Sequence, residues 1–417
     1  MESPTLIVCG IGSGMAHSLA ELKAMGLSLV VITDKVDEDI YINADRIIEC
    51  YPRSIAEVKK AVLDDGLHKA NGVMTLGYEN LPVIAELVKM FNVPGLSNEV
   101  ALNCTHKNLR TPILARAGIR VPKHEIATGL EQAFLALNRI GYPAVVKPND
   151  KTSSMGVSKI VSRNQAEELI KQALSLSESN AVIVEEFIEG ISEHTLEGIV
   201  SDSEVFVTCI SDRNYFNKEM YAPYFFEDGD TLPTSLNDEI AGNMIDIVKK
   251  AVQALCLNNT SFHCDLMITA TREIVVLEVA GRMSGARFGT DLVPLSSGVH
   301  ILPNIARLAL GWPIIKEQLT PNKADTVILR YLPSIAGTVK EIGDLETVKS
   351  ISGVYDADWE QALSVGSITH PYRSGKDMIA SVITVGQTVE IAEKIAKNAL
   401  NAIPIKIESH TQGGRSN

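Results

Sequence analysis

Short uninterrupted apolar runs alternate with amphipathic stretches over the first hundred residues. Residues 6–10, 29–33 and 72–76 read as buried strands, because a strand covered on both faces shows no in–out alternation. Between them, residues 15–25, 54–64 and 80–91 carry helical spacing. The alternation predicts a small doubly wound parallel sheet, a Rossmann-like domain over 1–97. The punctuation Val93-Pro-Gly-Leu-Ser97 ends it.

From residue 98 to about 321 the pattern changes. A helix is expected at 105–117, then a strand at 144–147 that opens into a Ser/Gly turn. Strands follow at 157–161, 182–188, 194–200, 204–210, 262–268 and 274–279, with helices at 165–176 and 240–255. This reads as α+β with mostly antiparallel strands. The segment 322–417 carries strands at 326–331 and 378–384, a helix at 389–400, and a frayed end at 412–417. No internal repeat interrupts the sequence.

Charge narrows the function. Thirty-eight Lys and Arg face 51 Asp and Glu, a net charge of −13. Such a surface repels phosphate backbones and anionic lipid, so neither nucleic acid nor membrane is an expected partner. No apolar run reaches the roughly 18–20 residues that span a bilayer. The start Met1-Glu-Ser-Pro-Thr5 lacks a basic leader region, and six scattered cysteines without a CxxC read as reduced thiols. A cytoplasmic protein is expected.

The first candidate chemistry is Gly10-Ile-Gly12-Ser-Gly14, a strand-to-helix turn with Asp34 ending the next strand. Met15 stands where a dinucleotide motif has its third glycine, so a tight turn without a dinucleotide is the better reading. An NAD-dependent oxidoreductase is the rival this motif leaves.

Four further elements occur in order. They are His106-Lys107-Asn-Leu-Arg110; Val146-Lys147-Pro148 with Ser153-Ser154-Met155-Gly156; Glu185-Glu186-Phe187-Ile188 with Glu193; and Asp265, followed by Glu278-Val-Ala-Gly-Arg282-Met-Ser284-Gly285. Lys147 ends an apolar strand, and its ammonium needs anions. The Ser/Gly turn after it exposes amides suited to phosphate oxygens. Asp265 and Glu278 lie near the ends of consecutive strands; paired as a hairpin, their carboxylates meet on one face and suit Mg²⁺. Arg282 then stands beside the metal, where developing negative charge needs a fixed cation. Alone, each element has a duller explanation: Lys107 and Arg110 as a solvated helix face, the acids as exposed strand ends.

Taken together and in order, they resemble the ATP-grasp superfamily, and most of all its carboxylate–amine ligases of the L-amino acid ligase type. The resemblance implies an α/β and α+β multidomain chain. It has a Rossmann-like pre-ATP-grasp domain (1–97), an ATP-grasp domain (98–321, lid about 122–188) and a C-terminal lobe (322–417). It implies that Lys107 and Lys147 contact ATP phosphates, and that Ser153, Ser154, Met155 and Gly156 form the lid loop. Glu185, Glu186, Phe187 and Ile188 would line adenine, and Glu193 the ribose. Asp265 and Glu278 would bind Mg²⁺, with Mn²⁺ as a substitute, and Arg282 would neutralise an acyl phosphate. Three departures stand out: Asp265 replaces the usual Glu, Ala280 a metal-binding Asn found in many members, and the lid loop has fewer glycines.

The expected reaction is ATP-driven joining of a small carboxylate to an amine with release of ADP and phosphate. Ser284, Gly285 and Arg287 are candidates for the substrate pocket, Arg287 either as a clamp on a second carboxylate or in a structural salt bridge. Glu79, after the third predicted strand, sits where open α/β sheets bind ligands and is a candidate for the amine. His263 reads as a satisfied core histidine. A homodimer is expected. Rivals are a purine-pathway or biotin-carboxylase-like enzyme and a nucleotide-binding regulatory protein without turnover.

Overall fold

The computed structural model describes residues 3–409; the end at 412–417 lies outside the described residues. The chain forms two compact units. The first comprises Met1–Pro122, Ile188–Asp212 and Pro233–Ala324; the second comprises Lys123–Phe187, Arg213–Leu232 and Asp325–Asn417.

In the first unit the apolar runs pair as a parallel sheet in the order Arg46–Glu49, Ser28–Thr33, Thr5–Ile11, Gly72–Leu76. Ile7, Cys9, Val30, Ile32 and Val73 meet Val58, Val62 and Leu87 in one core, which is why these strands lack polar alternation. The helix Glu38–Asn43 and strand Arg46–Glu49 were not expected from the pattern. Each is short, and Arg46-Ile-Ile-Glu49 offers only two apolar positions at a sheet edge. The expected helix at 15–25 is split: a 3-10 turn, Ala16–Ser18, precedes an α-helix over Leu19–Ala24. The order places the topological switch between Thr5–Ile11 and Gly72–Leu76, so loops at their C-terminal ends border a crevice.

The same unit holds the antiparallel strands Gly190–Ser201, Thr260–Thr269 and Ile274–Ala280. The helix Asp238–Ala254, capped by Asn237, lays Met244, Val248, Ala251 and Val252 over Phe262, Cys264 and Leu266.

The second unit holds an antiparallel sheet in the order His124–Ala127, Val182–Glu186, Ala144–Pro148, Ser158–Ile160. The helices Leu130–Ile140 and Arg163–Leu176 cover it through Ala133, Ala136, Leu137, Ala166, Ile170 and Ala173. A second layer pairs Gly229–Leu232, Thr326–Pro333, Met378–Gly386 and Val354–Trp359. The helix Val389–Ala402 packs on it through Ala392, Ala396 and Ala399, whose small side chains allow close approach. Among the described residues no helix is long and apolar enough to cross a membrane.

Candidate active site

The hairpin expected of Asp265 and Glu278 is present, and its register sets the two residues directly opposite each other. Directly opposed residues point to one face of a sheet, so both carboxylates share a side. One Asp265 oxygen accepts from the Thr195 hydroxyl at 2.8 Å, which orients it from the neighbouring strand. Glu278 retains 31% side-chain exposure and has Arg110 Nη1 at 3.5 Å. Burial would raise its carboxyl, but the Arg110, Lys107 and Arg282 charges together hold it well below the usual carboxylate range.

Lys107 and Arg110 are not a solvated helix face: they are 7% and 2% exposed. Arg110 donates to the carbonyls of Cys104 at 2.9 Å and Val279 at 3.3 Å, tying the helix Lys107–Arg116 to the metal-candidate strand. The i,i+3 spacing of the two cations was legible; that their face turns inward was not. Among the described residues no group of three or more His, Cys, Asp and Glu gathers as a metal site. The donor set is the carboxylate pair alone. Two hard oxygen donors, one of them firmly ionised, fit Mg²⁺, which takes its remaining ligands from phosphate and water.

Arg282 follows the second strand and meets Glu79: Nε and Nη2 both lie 2.6 Å from Glu79 Oε2. Its Nη1 donates to the Met283 carbonyl at 2.9 Å. Glu79 thus neighbours Arg282, a pairing across some two hundred residues that no local pattern announces. Thr105 reaches the other Glu79 oxygen at 3.4 Å. His263 is buried beside the Arg282 carbonyl at 3.3 Å; burial and the Arg282 charge lower its pKa and keep it neutral.

The Ser284 peptide is held from behind by a residue that the sequence pattern does not single out. Glu197, fully buried on Gly190–Ser201, accepts from Ser284 N at 2.6 Å. Burial pushes its carboxyl up to about 7 against the Ser284 amide and the Arg282 charge. Among the described residues its Oε2 has no hydrogen-bond partner, and a Cβ on Gly289 would stand 2.8 Å from that oxygen. In an alternating strand such a glutamate looks like any outward polar residue. Backbones also converge here: a side chain at Gly77 would lie 2.9 Å from the Ser284 carbonyl, and one at Gly285 would lie 3.3 Å from the Gly77 carbonyl.

Arg287 is 7% exposed, and its guanidinium donates to Asp291 at 2.9 Å, the structural salt bridge that competes with a role as a clamp. Burial opposes ionisation of Asp291, yet His17 and Arg287 draw its carboxyl down to about 2. The N-terminal glycine turn is also filled: a Cβ on Gly10 would stand 2.6 Å from the Tyr78 ring, so that ring occupies the space the missing side chain leaves.

In the second unit, Lys147 Nζ lies 2.5 Å from Glu185 Oε2, with 13% and 6% of the side chains exposed. The strands Ala144–Pro148 and Val182–Glu186 bring them together. The Glu186 and Phe187 amides donate to the carbonyls of Lys123 at 2.8 Å and Pro143 at 3.3 Å. Lys159, which no motif marks, sets its ammonium 3.8 Å from the Phe187 ring centroid, and Phe225 stacks at 6.3 Å. Ser153 and Ser154 both adopt left-handed backbone, at φ 54° and 55°, and Gly156 follows at 71°. Met155 N closes a turn on Thr152 O at 3.1 Å.

In the first unit, Ile188 precedes the strand that carries Glu193, which is 9% exposed. Beside Glu193, Ser192 Oγ meets His194 Nε2 at 2.8 Å and His194 Nδ1 meets Asp212 at 3.0 Å. Asp212 also accepts from Thr234 and the Ser235 amide, so this relay ties down the strand.

The D-ala D-ala ligase C-terminus family matches residues 114–283, and the L-amino acid ligase C-terminal domain 2 family matches residues 330–408. Over both segments the chain is similar to ligases, as its ATP-grasp-like motif order implies.

The first of these matches covers Lys147, the serine loop, Asp265, Glu278 and Arg282, and stops before Ser284. The alanine–anticapsin ligase of Bacillus subtilis is 26% identical over 285 residues, covering 61% of this chain and 59% of that protein. The chain spans about half to two thirds of the length of the curated relatives it matches. The L-amino acid ligase structure from Bacillus licheniformis has a TM-score of 0.80 at 22% identity, covering 98% and 100% of the two chains. The biotin carboxylase domain dimer of the Hydrogenobacter thermophilus 2-oxoglutarate carboxylase, solved with MgADP, has a TM-score of 0.71 at 17% identity, covering 98% and 91%. These structures share the fold.

Proposed function

We propose that the protein joins a small carboxylate, such as an amino acid, to an amine. A phosphoryl group passes from ATP to the carboxylate, and the amine displaces phosphate from the acyl phosphate. The products are the amide, ADP and phosphate. The observation that carries this reading is the direct opposition of Asp265 and Glu278 with Arg282 four residues on, held by Glu79.

The chain's own groups have distinct tasks. Glu278 and Asp265 would hold Mg²⁺, which when bound neutralises phosphate charge. The ionised Glu278 needs no proton removed before binding a cation. Arg282, fixed by Glu79 and the Met283 carbonyl, offers a positioned cation to the acyl phosphate, so little reorganisation is required as charge develops. Lys107 and Lys147 would balance ATP phosphates, and the turn carrying Ser153, Ser154, Met155 and Gly156 would wrap them. Main-chain groups of Glu186 and Phe187 would face the adenine edge, and Ile188 and Glu193 would complete the nucleoside contacts. Ser284 and Gly285 shape the acyl end, with the Ser284 amide oriented by Glu197. Glu79, beside Arg282, would attract the amine.

No nucleophilic Ser or Cys is needed, because the carboxylate substrate is itself the nucleophile toward ATP. A homodimer in the cytoplasm is the setting this reading expects. The test is a phosphate-release screen with ATP-Mg and pairs of amino acids and small carboxylic acids, reading the nucleotide product together with the phosphate. ADP is expected; AMP with pyrophosphate would overturn the acyl-phosphate assignment.

A further inference from the structure

The serine loop after Lys147 carries a conformational problem. Left-handed backbone costs an L-residue with a Cβ free energy that glycine avoids, and Ser153 and Ser154 adopt it in succession. Such residues persist where their surroundings over-determine them. The turn bonds Met155 N to Thr152 O and Val157 N to Ser154 O act within the loop. One bond comes from far along the chain: Gly375 N donates to the Ser153 carbonyl at 2.9 Å.

Gly375 belongs to a rigid turn. It begins the 3-10 segment Gly375–Asp377, capped by Ser374, whose hydroxyl accepts from Lys376 N. Asp377 Oδ2 accepts from the amides of Arg373 and Ser374, both at 2.9 Å. Ser334 N fastens the turn through the Asp377 carbonyl at 2.8 Å, and Tyr372 anchors its start through Phe225 O at 2.8 Å. The Tyr372 ring packs edge-on against Phe226. The approach is tight: a Cβ on Gly375 would stand 3.2 Å from the Ser153 carbonyl oxygen.

We propose that the Ser374–Asp377 turn is a clasp that positions the phosphate loop, with the Gly375 amide holding the Ser153 peptide in its left-handed state. The clasp does what additional glycines would otherwise do, and it makes nucleotide affinity depend on a turn more than two hundred residues from the loop. Its consequence for catalysis rests on the proposed placement of ATP phosphates at this loop.

The decisive variant is Gly375→Pro. Proline removes the N–H, is tolerated at the first position of a helical turn, and suits a preceding residue in extended backbone, as Ser374 is at φ −161° and ψ 169°. In the folded apo protein, hydrogen exchange of the amides at 152–157 should quicken about tenfold, the scale of one net hydrogen bond. The KM for ATP should rise about fivefold with kcat moved less. Gly375→Ala keeps the N–H and should show a smaller change in both. Ser153→Gly in the Gly375→Pro background should restore the ATP KM, since glycine takes the left-handed state unaided.

Unchanged loop exchange in folded Gly375→Pro overturns the clasp. Faster exchange with an unmoved ATP KM overturns its role in nucleotide binding, provided Lys147→Ala does weaken ATP. If Lys147→Ala also leaves ATP affinity alone, the nucleotide reading has failed, and loop exchange in the apo protein still decides the clasp.

Discussion

The carboxylate face in the first unit and the Lys147 region in the second solve the problem of fixing charge differently. Around Glu278, charge is set by strand register and buried cations: Arg110 is bound to two main-chain carbonyls, and Arg282 is locked to Glu79. Around Lys147, one strand-borne cation faces one glutamate, and the remaining groups lie on a loop in a costly backbone conformation. A sheet holds a carboxylate pair still through strand register, because the paired strands share ladder hydrogen bonds. A loop lacks that ladder and relies on hydrogen bonds from elsewhere. The first region is therefore suited to transition-state charge, the second to a nucleotide that must enter and leave.

The sharpest break of this comparison is Glu278→Gln. It removes the charge that Arg110, Lys107 and Arg282 surround, and kcat should fall about a thousandfold, the scale of losing a preorganised electrostatic group. Asp265→Asn should cost less, with partial rescue by Mn²⁺, whose demands on geometry are softer than those of Mg²⁺. Steady-state kinetics in both metals read the ranking. Asp265→Asn inactive with Glu278→Gln active would reverse the metal assignment.

Next in size, Arg287→Ala should destabilise the fold by roughly 3 kcal/mol, the usual cost of stranding a buried acid such as Asp291. Substrate preference should stay unchanged at a temperature where the variant is folded. Denaturant midpoints and substrate profiles separate the two effects; a changed preference for diacids would return Arg287 to the pocket.

Lys147→Ala should weaken ATP binding about tenfold to a hundredfold, since a charged hydrogen bond contributes some 1.5–3 kcal/mol. The fold should survive, because the ammonium is not fully enclosed. Titration calorimetry with ATP-Mg reads this. Unaltered affinity would remove Lys147 from the nucleotide site.

The smallest effect is a pH dependence in the first unit. Glu197 is raised in the folded state to about 7, whereas an unfolded glutamate titrates near 4.5. Between those values the folded chain holds the proton and the unfolded chain does not, so stability falls as pH rises. From pH 5 to 7 the loss is about 2 kcal/mol, because the slope there approaches about 1.4 kcal/mol per pH step of one. Glu197→Gln should flatten that slope while leaving an acceptor for Ser284 N. Thermal midpoints across this range provide the check, and an equally steep slope in the variant would assign the titration elsewhere.

Much of this protein was legible in its sequence because the signals were local. Buried runs such as Gly72–Leu76 and the hairpin bringing Asp265 opposite Glu278 follow from apolar patterning and spacing. The order of the charged motifs, read against a known superfamily, pointed to ATP chemistry. What tertiary structure alone decided were partners. Glu79 meets Arg282, Arg287 is matched internally by Asp291, Arg110 turns inward to Glu278, and the Gly375 amide holds Ser153. Each joins groups from different segments or orientations whose meeting depends on how whole elements pack. The fold-level pattern records which residues prefer to be buried, but a charge gains its role from what stands within about 4 Å of it, where Coulomb energy and desolvation both become large.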